Sequence, residues 1–265
     1  MSADIKKVLA IHDISSLGRA SLTVVMPILS AMGVQVCPLP TAALSSITRG
    51  YGEPEIVDLT EFMRGASRHF GRAGAKFDWI YSGFLGNVAQ VDIIIDIIKN
   101  NEDAKVLIDP VLGDNGKLYS TMTEDMVGKM RELIKHADII TPNWTEAKFL
   151  TNNAIENPRE VCRIFGKTAI ITSVPNSRGE CVDMAVYDSE SDEFEIIQGN
   201  YSPKEYSGAG DGFASTLLGA ICEGGTLMEA ANKAAKFIGI AVDASTGNIN
   251  GELYLEKVLD KLKDL

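Results

Sequence analysis

An α/β fold in three layers is predicted, with a mostly parallel central sheet, helices on both faces and an antiparallel hairpin at one edge. Three observations predict it. Short runs rich in Val and Ile alternate with longer segments of helical period, the pattern of buried parallel strands joined by crossover helices. After Val174 the rhythm changes to two alternating runs separated by an acidic turn, a hairpin pattern. The last 55 residues or so read as helices, and no repeat, Pro/Gly-rich linker or low-complexity tract interrupts the plan. At 265 residues and 45% hydrophobic composition, one domain spanning 1–265 is expected, because single α/β cores commonly reach this size.

The parallel strands are expected at VLAIHDI from Val8, VQVCPL from Val34, WIYSGF from Trp79, KVLIDPV from Lys105, DIITPN from Asp138 and AIITSV from Ala169. Each is a short apolar run closed by Gly, Pro, Asp, Asn or Ser. Helices are expected over 20–32, 58–72, 88–100, 123–136 and 145–151. The hairpin pairs DMAVYD from Asp183 with FEIIQG from Phe194 across the turn ESDE. Three helices should follow: GDGFASTLLGAICEG, TLMEAANKAAKFIGIAVDAS and a charged one from Glu252.

A formal net charge of −11, spread along the chain, repels phosphate backbones and anionic lipid, so neither nucleic acid nor membrane is an expected partner. The N-terminal apolar run is soon broken by His12 and Asp13, and reads as a buried strand rather than a signal peptide. No stretch approaches the roughly 20 apolar residues that cross a bilayer. Cys37, Cys162, Cys181 and Cys222 form no C-x-x-C pair and have no His at metal spacing, which points to reduced core thiols in a cytoplasmic protein.

In such a sheet, ligands bind beyond the carboxyl ends of the strands, where loops and helix N-termini converge. Four successive strands end in polar groups there: Ser82-Gly83, Asp109-Pro110, Asn143 and Thr172-Ser173. The sharpest motif is Ser207-Gly208-Ala209-Gly210-Asp211-Gly212, followed at once by an apolar helix. Its glycines let backbone N–H groups converge on an anion, and the helix dipole adds positive charge. Asp211 is then placed to take or orient the proton of an attacking hydroxyl. The plainer alternative is a capping Asp beside a glycine turn.

Two further segments carry a double reading. Asn143 and Glu146 can form a capping box, or can face a magnesium-bound nucleotide, since magnesium prefers hard oxygen ligands. Asp109, at the end of an apolar strand, needs a partner, and a cation would serve. The loop after it, through Asp114, is ordinary turn sequence. The small, hydroxylated stretch from Thr41 to Gly52 reads as a flap over a substrate or as a surface loop. His12, His69 and His136 are isolated, and each is expected to be solvated or hydrogen-bonded in a structural role. The P-loop, protein-kinase, dinucleotide, H-E-x-x-H and G-x-S-x-G signatures are absent.

Seven segments in order, VLAIHDISSLG, ALSSITRGYG, YSGFLGN, IDPVLGDNGKLY, ADIITPNWTEAKFL, AIITSV and SGAGDGFAS, resemble the pyridoxal kinase branch of the ribokinase-like superfamily over nearly the whole chain. The resemblance implies phosphoryl transfer from MgATP to the 5′-hydroxymethyl group of a vitamin B6 vitamer, in pyridoxal phosphate salvage. It implies that Asp211 activates the hydroxyl and that Gly208, Ala209 and Gly210 form the anion hole. Asp109 and Glu146 would hold magnesium, partly through water. Asn143, Thr172 and Ser173 would line the nucleotide phosphates, with Asp114 and Tyr119 on a loop closing over them. On the substrate side stand Asp13, where many pyridoxal kinases have a serine near the pyridine ring, Thr48 of the flap, and Phe84, where a tyrosine is common. Ser15 takes the place of Asp13 if the alignment shifts. The family's habits also imply assistance by potassium and a homodimer. Two other readings stay open: a hydroxymethylpyrimidine or phosphomethylpyrimidine kinase, which shares the G-x-G-D site, and a non-catalytic vitamer or nucleotide sensor, for which Asp211 would be superfluous.

Overall fold

The computed structural model describes residues 5–152, 156–198 and 206–265. Contacts divide the chain into two compact units, Met1–Tyr81 with Ser202–Leu265, and Ser82–Tyr201. In chain order the first unit contributes β1 (Lys7–Leu17), α1 (Leu22–Ala31), β2 (Gln35–Ser46), β3 (Ile56–Asp58), α2 (Thr60–Ala73) and β4 (Trp79–Ser82), whose last residue opens the second unit. The second continues with α3 (Val88–Lys99), β5 (Lys105–Ile108), the two-residue strands β6 (Gly113–Asp114) and β7 (Lys117–Leu118), α4 (Glu124–Leu133), β8 (Ile139–Ile140), α5 (Trp144–Leu150), α6 (Pro158–Phe165), β9 (Thr168–Pro175), β10 (Cys181–Asp188) and β11 (Glu193–Ile197). The chain then returns to the first unit with α7 (Ala209–Cys222), α8 (Leu227–Ala244) and two 3-10 turns, Leu255–Lys257 and Leu259–Lys263.

In the first unit the strand order is β4-β1-β2-β3. The run Val8–Ile11 of β1 is fully buried, as expected of a strand covered on both faces. β2 lies parallel to β1, and its register slips between His12 and Ile14. The extra residue lies on β2, between Pro40 and Ala43, opposite Asp13 of β1. Helix α1 packs on α7, and α7 on α8. Gly212 makes one of these approaches possible, since a Cβ there would lie 2.7 Å from Ile238 Cδ1.

In the second unit the order is β11-β10-β9-β8-β5, with β5, β8 and β9 parallel and β10 antiparallel to both its neighbours. The expected hairpin is therefore present. α3 starts where Asn87 Oδ1 accepts the N–H groups of Ala89 and Gln90, and α4 where Thr123 caps Met126.

Four expectations are corrected. Thr41–Ser46, read as the start of a flap, extends β2, because Ala42–Leu44 gain β3 as a second, antiparallel neighbour. Pro38 and Pro40 precede that pairing, so their missing N–H groups cost no bond to β3. The segment from Glu252 forms 3-10 turns rather than an α-helix. Its buried Leu255, Val258 and Leu262 recur at steps of three and four over only two short turns, and a parallel bridge to Ser207 holds Glu252 extended. Cys162 is a core thiol, but Cys37 and Cys222 are half-buried, and the Cys181 side chain lies outside the described residues. Helix α6, unforeseen, is short and opens on Pro158 behind an Asn157 cap. No helix among the described residues is long and apolar enough to cross a membrane.

Candidate active site

In the first unit the sequence G-A-G-D builds the start of α7. Gly208 caps the helix at φ 85°, and a Cβ there would meet the Arg19 carbonyl oxygen at 2.7 Å, so only glycine fits. No side chain caps α7. Ala209 N–H donates to the Tyr206 carbonyl at 3.3 Å, and a helix start without a side-chain cap, with the dipole behind it, suits an anion. Gly210 is exposed and a Cβ on it would touch nothing within 4 Å, which leaves room for that anion.

Asp211, in the first turn of α7, keeps 13% of its side chain exposed. Its Oδ2 accepts the backbone N–H of Ser21 at 2.8 Å. Ser21 adopts φ 51°, rare for a residue with a Cβ, and from this turn its Oγ also donates to Oδ1 of Asp13. One residue thus ties two carboxyl groups together. Burial pushes Asp211 up to about 6, the Ser21 N–H opposes this and the Asp13 charge adds to it. Burial also raises Asp13, against the pull of the Ser21 hydroxyl. A carboxyl raised to about 6 lies in the range in which general bases are effective.

His12 overturns its expected role, being neither solvated nor hydrogen-bonded. It is fully buried, neither ring nitrogen has a hydrogen-bond partner among the described residues, and Nδ1 lies 3.7 Å from Oδ1 of Asp211. His69 is exposed and His136 half-buried. Thr48 is exposed just after β2. Beyond it, the Tyr51 hydroxyl donates to Glu252 Oε1 at 2.8 Å and accepts from Asn250 Nδ2 at 2.8 Å.

The second unit collects the other named residues at the carboxyl ends of its strands. Asp109, 6% exposed, follows β5, and its N–H donates to the Ser82 carbonyl at 2.8 Å. Asn143 and Glu146 form the capping box of α5: Glu146 N–H donates to Asn143 Oδ1 at 2.9 Å, and Asn143 N–H to Glu146 Oε2 at 2.8 Å. Glu146 does more than cap, because its Oε1 also accepts the N–H groups of Leu112 at 3.0 Å and Gly113 at 3.5 Å. Burial still pushes it up to about 8. Asn143 Nδ2 donates to the Gly113 carbonyl at 2.8 Å, so both ends of that side chain already hold backbone.

Asp114 sits beside Glu146 at the start of the β6–β7 turn, and its Oδ1 accepts the Asn115 N–H. Tyr119, past that turn, is 43% exposed, and Phe84 is half-buried. Thr172 bridges to Asn143, and Ser173 takes φ 56° where the β9–β10 register shifts. Among the described residues no group of three or more His, Cys, Asp or Glu is close enough to hold a metal ion. Asp109 and Glu146 are both nearly buried carboxyl groups, and magnesium prefers such hard oxygen ligands together with phosphate and water. With three N–H groups on its carboxylate, Glu146 fits contact through water better than direct coordination.

Ser21 and His12 stand beside Asp211 without having been singled out for it. Only Ser21 carried a signal, its place in the turn Gly18-Arg19-Ala20-Ser21 before a helix.

The model of the phosphomethylpyrimidine kinase family matches residues 30–253. The chain is similar to a Bacteroides thetaiotaomicron protein, provisionally named a phosphomethylpyrimidine kinase and crystallised with pyridoxal. Identity is 39% over 98% of this chain and 96% of that one, with a TM-score of 0.91. It is also similar to pyridoxal kinase from Lactobacillus plantarum, at 30% identity over 98% of both chains and a TM-score of 0.90. Among curated relatives, pyridoxal kinase of Dictyostelium discoideum is 30% identical over 165 residues, 55% of this chain and 54% of that one, so the match spans about half its length.

Proposed function

We propose, on the premise that the chain belongs to the family of phosphomethylpyrimidine and pyridoxal kinases within the ribokinase-like superfamily, that it transfers the γ-phosphoryl group of ATP to the 5′-hydroxymethyl group of a vitamin B6 vitamer. The observation that carries this reading is the Asp211 carboxylate in the first turn of the uncapped helix α7, held by Ser21 with a proton affinity near neutrality.

Asp211 takes the hydroxyl proton as the acceptor oxygen bonds to the γ-phosphorus and the bond to the β-phosphate oxygen breaks, releasing ADP. The amides of Gly208, Ala209 and Gly210 receive the charge on the transferred group. Asp109 and Glu146 would hold magnesium, which would neutralise phosphate charge. Thr172 and Ser173 line the phosphates, and Asp114 and Tyr119 cover them. Asn143 acts on the nucleotide through the loop it tethers at Gly113. Asp13, Thr48 and Phe84 face the vitamer, with Asp13 beside the ring and the Phe84 ring stacking without a hydroxyl. Phosphoryl transfer asks mainly for alignment and charge neutralisation, which this set supplies without a nucleophilic side chain.

The two units act as one kinase domain over 1–265, a reading supported by solved relatives matched along nearly their whole length. A homodimer is supported by Leu17, Ile56 and Val57, which are 53–60% exposed on β1 and β3 of the first unit. A cytoplasmic location is supported by the free cysteines. Dependence on potassium rests on the family resemblance.

The matching family's name keeps a hydroxymethylpyrimidine acceptor as the second reading. A coupled ADP-release assay with MgATP and potassium against pyridoxal, pyridoxamine, pyridoxine and hydroxymethylpyrimidine separates the two. Turnover on a vitamer that vanishes in Asp211→Ala supports the first, and turnover on the pyrimidine alone supports the second. Ligand binding without turnover on any acceptor would make the chain a sensor.

A further inference from the structure

We propose that His12 is a positioning residue for Asp211: its Nδ1–H closes on Oδ1 of the carboxylate and holds the oxygen that Ser21 leaves without a backbone donor. The proposal rests on the kinase reading above for its kinetic consequences, but not for the contact itself.

A neutral imidazole carries one N–H donor and one acceptor nitrogen, and buried polar groups in folded chains nearly always find partners. His12 is fully buried with both nitrogens unpartnered among the described residues. Its ring is not loose. It packs edge-to-face on Tyr81, with ring centroids 4.4 Å apart and an interplanar angle of 80°. The β1 strand holds its backbone just before the register shift. In that orientation Nδ1 faces Asp211 Oδ1 across 3.7 Å, a few tenths of an ångström beyond a hydrogen bond. Hydrogen bonds at catalytic groups are commonly long without substrate and tighten when the reacting complex forms. The two donors divide the carboxylate, Ser21 N–H on Oδ2 and His12 on Oδ1.

The chemistry of the ring decides what kind of help it gives. Burial pushes His12 down to about 3, so it stays neutral throughout the working range and cannot relay the proton that Asp211 accepts. It offers a fixed N–H. Among the described residues, the charged or titratable groups facing Asp211 are Asp13 from β1, which disfavours a second negative charge, and His12 itself. The start of α1 contributes only the Ser21 amide, and the contact of Gly212 with α8 is the apolar Ile238. A donor at Oδ1 therefore lowers the proton affinity of Asp211 against the burial and the Asp13 charge that raise it.

The test compares wild type, His12→Leu, which removes the donor, and His12→Gln, which offers an amide N–H from a similar position. The expected result for His12→Leu is a kcat about tenfold lower with both KM values nearly unchanged, and an acid limb of the kcat profile moved up by about one pH unit. His12→Gln should recover most of both. A lowered kcat with an unmoved acid limb, or a Gln variant no better than Leu, overturns the proposal. A measurement on the wild-type protein without turnover guards against a misfolded variant and against failure of the kinase reading. Imidazole ¹⁵N spectra should show the Nδ1–H tautomer of His12, with a shift that follows the ionisation of Asp211. The Nε2–H tautomer, or a spectrum indifferent to that ionisation, overturns it. Absence of wild-type turnover beside a responsive His12 spectrum would instead sink the kinase reading and leave the contact standing.

Discussion

The Tyr51 hydroxyl binds Glu252 at 2.8 Å across 201 residues of sequence, fastening the chain after β2 to the segment that bridges to Ser207 ahead of α7. Next to Glu252, the Gly251 carbonyl accepts the Ser207 N–H at 2.7 Å, directly ahead of Gly208. Close contact is built in, since a Cβ on Gly50 would lie 2.6 Å from the Asn250 carbonyl oxygen. Tyr51→Phe should therefore loosen this attachment at a cost to folding within about 1 kcal/mol. The expected kinetic outcome is a several-fold rise in KM for the acceptor and a smaller change in KM for ATP. Steady-state kinetics with each substrate varied in turn checks this, and equal effects on both would argue against a latch on the acceptor side.

Asp211 should trade stability for activity. Its proton affinity in the fold, about 6, stands above the ordinary 3.8 because burial disfavours the charged form. The folded state therefore binds the proton more tightly than the unfolded chain. Its stabilising contribution is complete below about pH 3.8 and is lost as pH rises through 6. Asp211→Asn, which can still accept the Ser21 N–H, should thus be more stable than wild type at pH 8 by at most about 3 kcal/mol, with the difference closing towards pH 4. The same variant should lose nearly all turnover while still binding ATP. Denaturant unfolding at both pH values, beside nucleotide binding, checks it.

The strands were legible because apolar runs such as Val8–Ile11 and Val106–Ile108 are buried whole and stop at Asp, Pro or Ser. The glycine turn into α7 was legible because glycine spacing is a local constraint. Ser21 was not, since its part depends on Asp211, 190 residues away, and on a positive φ that no local rule assigns to serine. His12 misled for a related reason: a lone histidine in an apolar strand says nothing of the carboxylate folded against it. The C-terminal segment misled because its leucine spacing satisfies a helical period, while the bridge from Glu252 to Ser207 fixes its start as extended chain.

Gly208 and Gly210, at the start of α7, should respond differently to one methyl group. At Gly208, alanine meets both a left-handed backbone and the Arg19 carbonyl oxygen at 2.7 Å, so Gly208→Ala should cost about 1–3 kcal/mol of stability along with activity. At Gly210 a methyl touches no neighbour, and alanine favours the helix. Gly210→Ala should therefore keep or slightly raise the melting temperature while slowing turnover, because the methyl stands where the γ-phosphate approaches. Melting curves beside kcat separate them, and a fully active Gly210→Ala would remove that residue from the anion hole.

Glu146 joins two jobs that one substitution can separate. Its two oxygens accept N–H groups from Leu112, Gly113 and Asn143, so a side chain with acceptors on both branches is required. Glutamine has an acceptor on one branch only and turns an NH₂ group against a buried N–H on the other. Glu146→Gln should cost about 1–3 kcal/mol of stability for that reason alone. A role towards magnesium adds a second, independent effect, a higher magnesium concentration for half-maximal turnover. Asp109→Asn tests the magnesium effect at a residue outside the capping box. Magnesium titrations of both variants, each beside its unfolding curve, decide it: an unchanged requirement in Glu146→Gln with lowered stability would make Glu146 a cap and nothing more.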